Sequence, residues 1–226
     1  MSEDSASSPF AFYAFYQLYA HFHNSADSKR RSFEAIHKQL YPNYVVKSSR
    51  TTEKTSLFIT WKKKGEKHQD YNLRGCIGTF AKLPLLRGIE KYSLIAALQD
   101  HRFPPISQAE LPTLKCSCNI LHSFQTIFSG KKGDIFDWEV GVHGIELTFK
   151  EPTTGQVLSA TFLPEVMPEQ GWDKKDTFSN LIEKAGYWKD VDSLMDHYED
   201  YFLEVVRYEG DKSQIEYKEF KRLMEL

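Results

Sequence analysis

The chain has 226 residues, 41% of them hydrophobic and 27% charged, with 29 Lys and Arg against 31 Asp and Glu for a net charge of -2. That length and composition suit one substantial core and exclude a wholly disordered chain, while the charge balance excludes the broad positive field of a non-specific nucleic-acid binder. The three cysteines, Cys76, Cys116 and Cys118, cannot all pair and lack the spacing of a zinc site, so they are read as reduced thiols in the cytoplasm or nucleus, with no metal.

Residues 1–8 read as a disordered tail, acidic and serine-rich and unlike a secretory or mitochondrial leader. Residues 9–226 read as a single domain. Ser8 is a good N-cap and Pro9 a good first helical residue, so a helix should run to about His23 with Phe12, Phe15, Tyr16, Tyr19 and Phe22 as a core-facing aromatic stripe. The apolar run from Phe10 to Phe22 is too short, and too polar at Gln17 and His21, to span a bilayer. Residues 24–31 read as a polar linker, and Tyr41-Pro42-Asn43-Tyr44 as a turn. Ser56 to Trp61 alternates as a strand, and the lysine run from Lys62 to Lys67 should be a charged turn into a second strand.

That second strand carries Leu73-Arg74-Gly75-Cys76-Ile77-Gly78-Thr79-Phe80. Alternation puts Arg74, Cys76 and Gly78 on one face and Leu73, Gly75, Ile77 and Thr79 on the other. A cation beside a thiol favours the thiolate, and the glycines admit a ligand or another backbone. Pro84 opens a helix with Leu85, Ile89, Tyr92 and Ala96 on one side, ending near Gln99 and Asp100 before Pro104-Pro105. Lys115 to Leu121 should be a strand with Cys116, Cys118 and Ile120 together. Glu139 to Phe149 and Val157 to Leu163 read as two arms of a hairpin. Asp173 caps a helix to Ala185 that Gly186 stops, 196–201 has no clear pattern, Phe202 to Tyr208 reads as the last strand, and Tyr217, Phe220, Leu223 and Met224 line a final helix. Hairpin-joined strands flanked by helices argue for an antiparallel α+β fold.

Three more clusters carry chemistry. Asp100-His101-Arg102-Phe103-Pro104-Pro105 sets an acid and a base in a loop stiffened by prolines, as a salt-bridged helix end or as an anion reader through Arg102. His143, between Gly141 and Gly144 in the expected strand, is either a satisfied core histidine or a base for Cys76. Pro164 to Asp173 is a proline-bracketed loop in which Glu169 could act as acid or base and Trp172 could stack on a ligand or plug the core.

LRGCIGTF, followed by YSLIAALQDHRFPPI, DWEVGVHGIEL and LPEVMPEQGWD, resembles the AMME-syndrome candidate-region family, in order as well as in residues, from about Phe10 to Tyr217. The resemblance implies an intracellular α+β protein in two unequal lobes, with an antiparallel sheet in the larger and the signature near their junction. It implies no established activity and no known cofactor. Its prokaryotic relatives keep company with a Memo-type protein and a radical S-adenosylmethionine enzyme, which suggests a modification or redox pathway and a Memo-type partner. The positions that match the family are Arg74, Gly75, Cys76, Gly78, Thr79, Asp100, Arg102, Phe103, Pro104, His143, Gly144, Glu169 and Trp172.

Two readings of function compete, with a third below them. In the first, those residues bind a small anionic ligand or a peptide, with Arg74, Gly75, Gly78, Thr79, Asp100, Arg102, Phe103, Gly144 and Trp172 around it. In the second, Cys76 is the nucleophile of an enzyme with His143 as base and Glu169 as a further acid or base. The third is a regulatory protein-interaction scaffold. Neither nucleic acid nor membrane is expected as a partner.

Overall fold

The computed structural model describes residues 7–23, 31–46, 54–65 and 70–226. Most of the expected tail, the linker and the tip of the first hairpin therefore lie outside the described residues. The chain divides into two compact units, Met1–Ile120 with Asp211–Leu226, and Leu121–Gly210. Its elements are α1 (Pro9–His23), α2 (Phe33–Leu40), β1 (Lys54–Lys64), β2 (Tyr71–Pro84), α3 (Leu85–Leu98), a 3-10 turn (Gln108–Thr113), β3 (Leu114–Ser129), β4 (Lys132–Gly133), β5 (Gly144–Lys150), β6 (Val157–Phe162), α4 (Val166–Gln170), α5 (Lys174–Lys184), α6 (Val191–Asp196), α7 (Tyr198–Tyr201), β7 (Phe202–Glu216) and α8 (Tyr217–Met224). The strands are hydrogen-bonded in the order β2-β1-β3-β7-β5-β6, with β4 beside β3. The fold is α+β, an antiparallel sheet with flanking helices.

In the first unit α1 begins as its caps dictate, the Ser8 hydroxyl accepting the Ala11 N–H at 3.2 Å. The expected aromatic stripe is instead a helix buried all round from Phe10 to Leu18. It sits in the middle of the unit: Phe15 stacks on Phe220 of α8 at 4.7 Å and meets Trp61 of β1 edge-on at 5.2 Å, while Phe10 stacks on Phe33 of α2 at 5.0 Å. Trp61 is fully buried and donates its indole N–H to the Ser93 carbonyl of α3 at 3.0 Å, so the helix and sheet layers are joined by a satisfied polar contact. Lys62 to Lys64 do not form a turn but continue β1, where Lys63 pairs with Asn72. Long-range pairing overrides the low strand propensity of lysine.

In the second unit β5 lies between β6 and β7, with Ile145 opposite both Phe162 and Arg207. Ile145, Leu147 and Phe149 point into a core with Trp138, Phe178, Leu181, Ile182 and Val205. The hairpin arm begins at Gly144 rather than at Glu139, because residues 139–143 close a turn in which His143 N–H donates to the Glu139 carbonyl at 3.0 Å. Gly144 is opposite Tyr208, and a Cβ on it would come within 2.3 Å of the Tyr208 ring, so here the glycine admits a side chain of its own protein. Asp173 caps α5 by accepting the Asp176 N–H at 2.8 Å, and Gly186 beyond its end has φ +106°. The stretch 164–173 expected as a loop contains the short helix α4, and the unassigned 196–201 contains α7.

Candidate functional site

The signature strand β2 is an edge of the sheet, and an edge residue has a backbone N–H and C=O without a neighbouring strand. At Cys76 both are met by one pair of side chains. Asp100 Oδ2 accepts the Cys76 N–H at 2.9 Å, and Arg102 Nη2 donates to the Cys76 carbonyl at 3.0 Å. The two side chains are also joined to each other, Arg102 Nε to Asp100 Oδ1 at 2.9 Å and Nη2 to Oδ2 at 2.7 Å. Asp100 is buried whereas Arg102 is about half-exposed, with Phe103 under its guanidinium at 5.6 Å. The hydrogen bond from Arg102 holds the Asp100 carboxyl far below the usual range, outweighing burial, and the Cys76 N–H adds to it.

Arg74 and Gly75 act on the same loop. Arg74 is bidentate on Glu110, at 2.9 and 3.1 Å, and its Nη1 donates to the Pro104 carbonyl at 2.8 Å. Its charge is therefore matched inside the protein. A Cβ on Gly75 would lie 2.1 Å from the Ala96 carbonyl oxygen, so this glycine brings the strand against the backbone of α3. The segment after the prolines closes the loop, Ile106 N–H donating to the Ala97 carbonyl at 2.9 Å. Three consecutive signature residues thus hold the Asp100–Pro105 loop by side chain, by close approach and by backbone.

Glu110, which belongs to none of the motifs, is the partner of both Arg74 and Lys63. Burial alone would raise its pKa, but hydrogen bonds from Arg74, the Ser107 N–H and Lys63 outweigh that and bring it down to about 2. The signal for it was the Ser107-x-x-Glu110 capping pattern. A carboxylate depressed below its unfolded value adds stability that is complete above the unfolded pKa and disappears as pH falls towards the folded one. Urea unfolding at pH 5 and pH 3 should therefore show the wild type losing about 2 kcal/mol more than Glu110→Gln over that interval. Equal losses in the two proteins would remove Glu110 from the acid response.

Beside the loop is a hollow of about 580 Å³. Ile77, Ile95, Leu98, Phe103 and Pro105 give it apolar walls, and Gln99, Asp100 and His101 its polar groups. Ile77 faces this side with Gly75, whereas the Cys76 side chain points to the other face of β2, its sulfur 3.1 Å from the Thr60 hydroxyl. Cys76 is partly exposed. Cys116 and Cys118 are fully buried, and burial raises both thiols, Cys118 to about 12, which keeps them protonated.

The other candidates take their places as follows. Gly78 lies opposite Phe58 of β1, and the Thr79 hydroxyl accepts the Ala81 N–H at 3.0 Å. His143, Gly144, Glu169 and Trp172 belong to the second unit. There His143 Nδ1 accepts the Glu139 N–H at 3.0 Å, so that nitrogen carries no proton while the turn is closed. Glu169 is exposed on α4. Trp172 is half-buried, its ring 5.2 Å from Phe162 at the edge of that unit's core. No group of three or more His, Cys, Asp or Glu among the described residues is arranged to hold a metal ion, and no described helix is long and apolar enough to cross a membrane.

Comparison with known proteins places these residues in a family. An uncharacterized protein of Saccharomyces cerevisiae, YOR289W, is 60% identical, covering 98% of this chain and 91% of its own length. One from Arabidopsis thaliana, At2g38710, is 39% identical over 81% of this chain and 74% of its own. The crystal structure of PH0010 from Pyrococcus horikoshii superposes with a TM-score of 0.61 over 93% of both chains, at 22% identity, which establishes a shared fold. The AMMECR1 family pattern matches residues 15–213, spanning both the signature strand and the His143 and Trp172 segments. The chain belongs to the AMMECR1 family.

Proposed function

We propose that this protein binds a small anionic ligand with an apolar body in the hollow beside the signature strand, with the Asp100–Pro105 loop as one wall. The hollow itself carries the reading: about 580 Å³, with mostly apolar walls and a few polar groups, is of the size and make-up of a small-molecule site. Arg102 does not itself line the hollow, but it follows the lining residue His101 on the same loop and is the anion-reading element of this proposal. Its Nε and Nη2 are held by Asp100 and the Cys76 carbonyl, and its Nη1 makes no hydrogen bond among the described residues, so a fixed, partly exposed guanidinium edge is left for a carboxylate or phosphate.

Binding is preferred to thiolate chemistry because the Cys76 sulfur has the Thr60 hydroxyl beside it, which does not take its proton, and the charge of nearby Arg102 is already matched by Asp100. The unpaired thiols support a cytoplasmic or nuclear setting. Family context adds a Memo-type protein as partner, with a modification or redox pathway around it.

The dye 1-anilinonaphthalene-8-sulfonate, an aromatic body with one sulfonate, is a suitable probe. The folded protein should bind it with enhanced fluorescence, and Leu98→Trp, which fills the hollow, should weaken binding at least about tenfold while circular dichroism and Tm stay unchanged. Dye binding that is absent from the wild type, or that survives Leu98→Trp unaltered, would reject the hollow as the site.

A further inference from the structure

The open edge of β2 continues past the place that Asp100 and Arg102 fill. Cys76 gives its N–H to Asp100 and its carbonyl to Arg102, so Thr60 and Cys76 face each other without exchanging backbone hydrogen bonds. By alternation Phe58 and Gly78 are the next such pair, and the N–H and C=O of Gly78 point to the same edge. Gly78 is partly exposed, and no strand or side chain among the described residues takes either group. Arg102 holds the Cys76 carbonyl, so of the two side chains it is the one nearer Gly78. Ile77, between the two edge-facing residues, lines the hollow. A free backbone edge, a guanidinium and an apolar hollow thus meet along Cys76-Ile77-Gly78.

We propose that the ligand of this site is the carboxy terminus of a peptide, added to β2 as a short antiparallel strand. The inference rests on the hollow being a binding site and names what it binds. An antiparallel strand runs from Gly78 towards Cys76 and must end there, because Asp100 and Arg102 fill the next place. Its penultimate residue pairs with Gly78, donating its N–H to the Gly78 carbonyl and accepting the Gly78 N–H at its own. Its last residue then stands opposite Ile77. Facing residues on neighbouring strands point to one face, so the last side chain enters the hollow that Ile77 lines. The terminal carboxylate comes next, beside the guanidinium whose Nη1 is unused. A strand running the other way would bring an ammonium group to Arg102, so charge sets the direction. Apolar walls select an apolar last residue such as Leu or Phe. The β1–β2 register shifts beyond Thr79, which limits the paired stretch to about three residues. Main-chain hydrogen bonds then supply affinity and the hollow supplies specificity.

Peptides of the sequence Gly-Ser-Thr-Ser-Leu and Gly-Ser-Thr-Ser-Phe, labelled with fluorescein at the amino end, test this by fluorescence polarisation. The free acids should bind. Their C-terminal amides, and peptides N-methylated at the penultimate residue, should each bind at least about tenfold more weakly, having lost the carboxylate or the bond to Gly78. N-methylation of the last residue, whose N–H points away from β2, should change affinity less than about threefold. Leu98→Trp should weaken the free acids at least about tenfold. Free acids that fail to bind overturn the proposal, as do amides that bind equally well or equal losses from the two N-methylations. The dye keeps the two readings apart: Leu98-dependent binding of 1-anilinonaphthalene-8-sulfonate without binding of the free acids rejects the peptide and leaves the hollow as a small-molecule site, whereas absence of both rejects both.

Discussion

Gly75→Ala is expected to lower the melting temperature by about 6–12 °C, the equivalent of about 3 kcal/mol in a chain of this length. In an ordinary strand this change is mild, and the smaller entropy of the unfolded chain even favours alanine. Here the added Cβ would lie 2.1 Å from the carbonyl oxygen of Ala96, and both partners are backbone. No rotamer change relieves the overlap. Either α3 or β2 must move, and the Asp100–Pro105 loop moves with them because it follows α3 directly. Calorimetry provides the measurement, and Ala96→Gly provides the control: it removes a side chain but not the carbonyl, so it should not rescue Gly75→Ala. A loss below about 2 °C, or a full rescue, would show that the strand does not need the close approach.

Asp100→Ala should cost about 2–4 kcal/mol, from loss of a charge-assisted partner for the Cys76 N–H and of the pair with Arg102. The lower part of that range is expected because Arg102 is 56% exposed and its freed charge is rehydrated. Arg102→Ala is not the mild counterpart it resembles. It leaves a carboxylate whose side chain is only 4% exposed with the backbone N–H bonds alone, so it should destabilise about as much despite touching a more exposed residue. The double variant should then be more stable than the sum of the two losses predicts, by about 1 kcal/mol or more. Additive losses in urea unfolding would mean that Asp100 and Arg102 do not act as a unit. Because the Asp100 pKa is depressed, its contribution is complete above the unfolded carboxyl range and is lost as pH falls below it.

The sheet edge gives these two residues a joint purpose. Cys76 would otherwise present an unpaired N–H and C=O to solvent, a template for association with another strand. Asp100 and Arg102 occupy that position as a neighbouring strand would, one accepting and one donating. On the proposed reading, a loop anchored this way is held by the strand beside it, and the hollow is preformed for its ligand. Preorganisation of that kind lowers the entropy lost when a ligand is fixed.

Features that a few neighbouring residues decide were legible from the chain alone. The caps at Ser8 and Asp173, the stop at Gly186 and the alternation that separates Cys76 from Gly75 and Ile77 all depend on local hydrogen bonds and backbone geometry, and all are found as read. The signature also identified the family, since its residues and their order are distinctive. Tertiary structure decided everything that depends on partners distant in the chain. Lys62 to Lys64 became strand because β2 pairs with them, and residues 139–143 became a turn closed by His143 rather than the start of a strand. Arg74, read as a cation beside the Cys76 thiol and as part of an anion site, found Glu110 36 residues away, and Gly75, read as room for a ligand or another backbone, met the end of a helix. Those outcomes were not legible because a strand's register and a loop's return path are set by summed packing over the whole core, whereas propensity and spacing report only on neighbours.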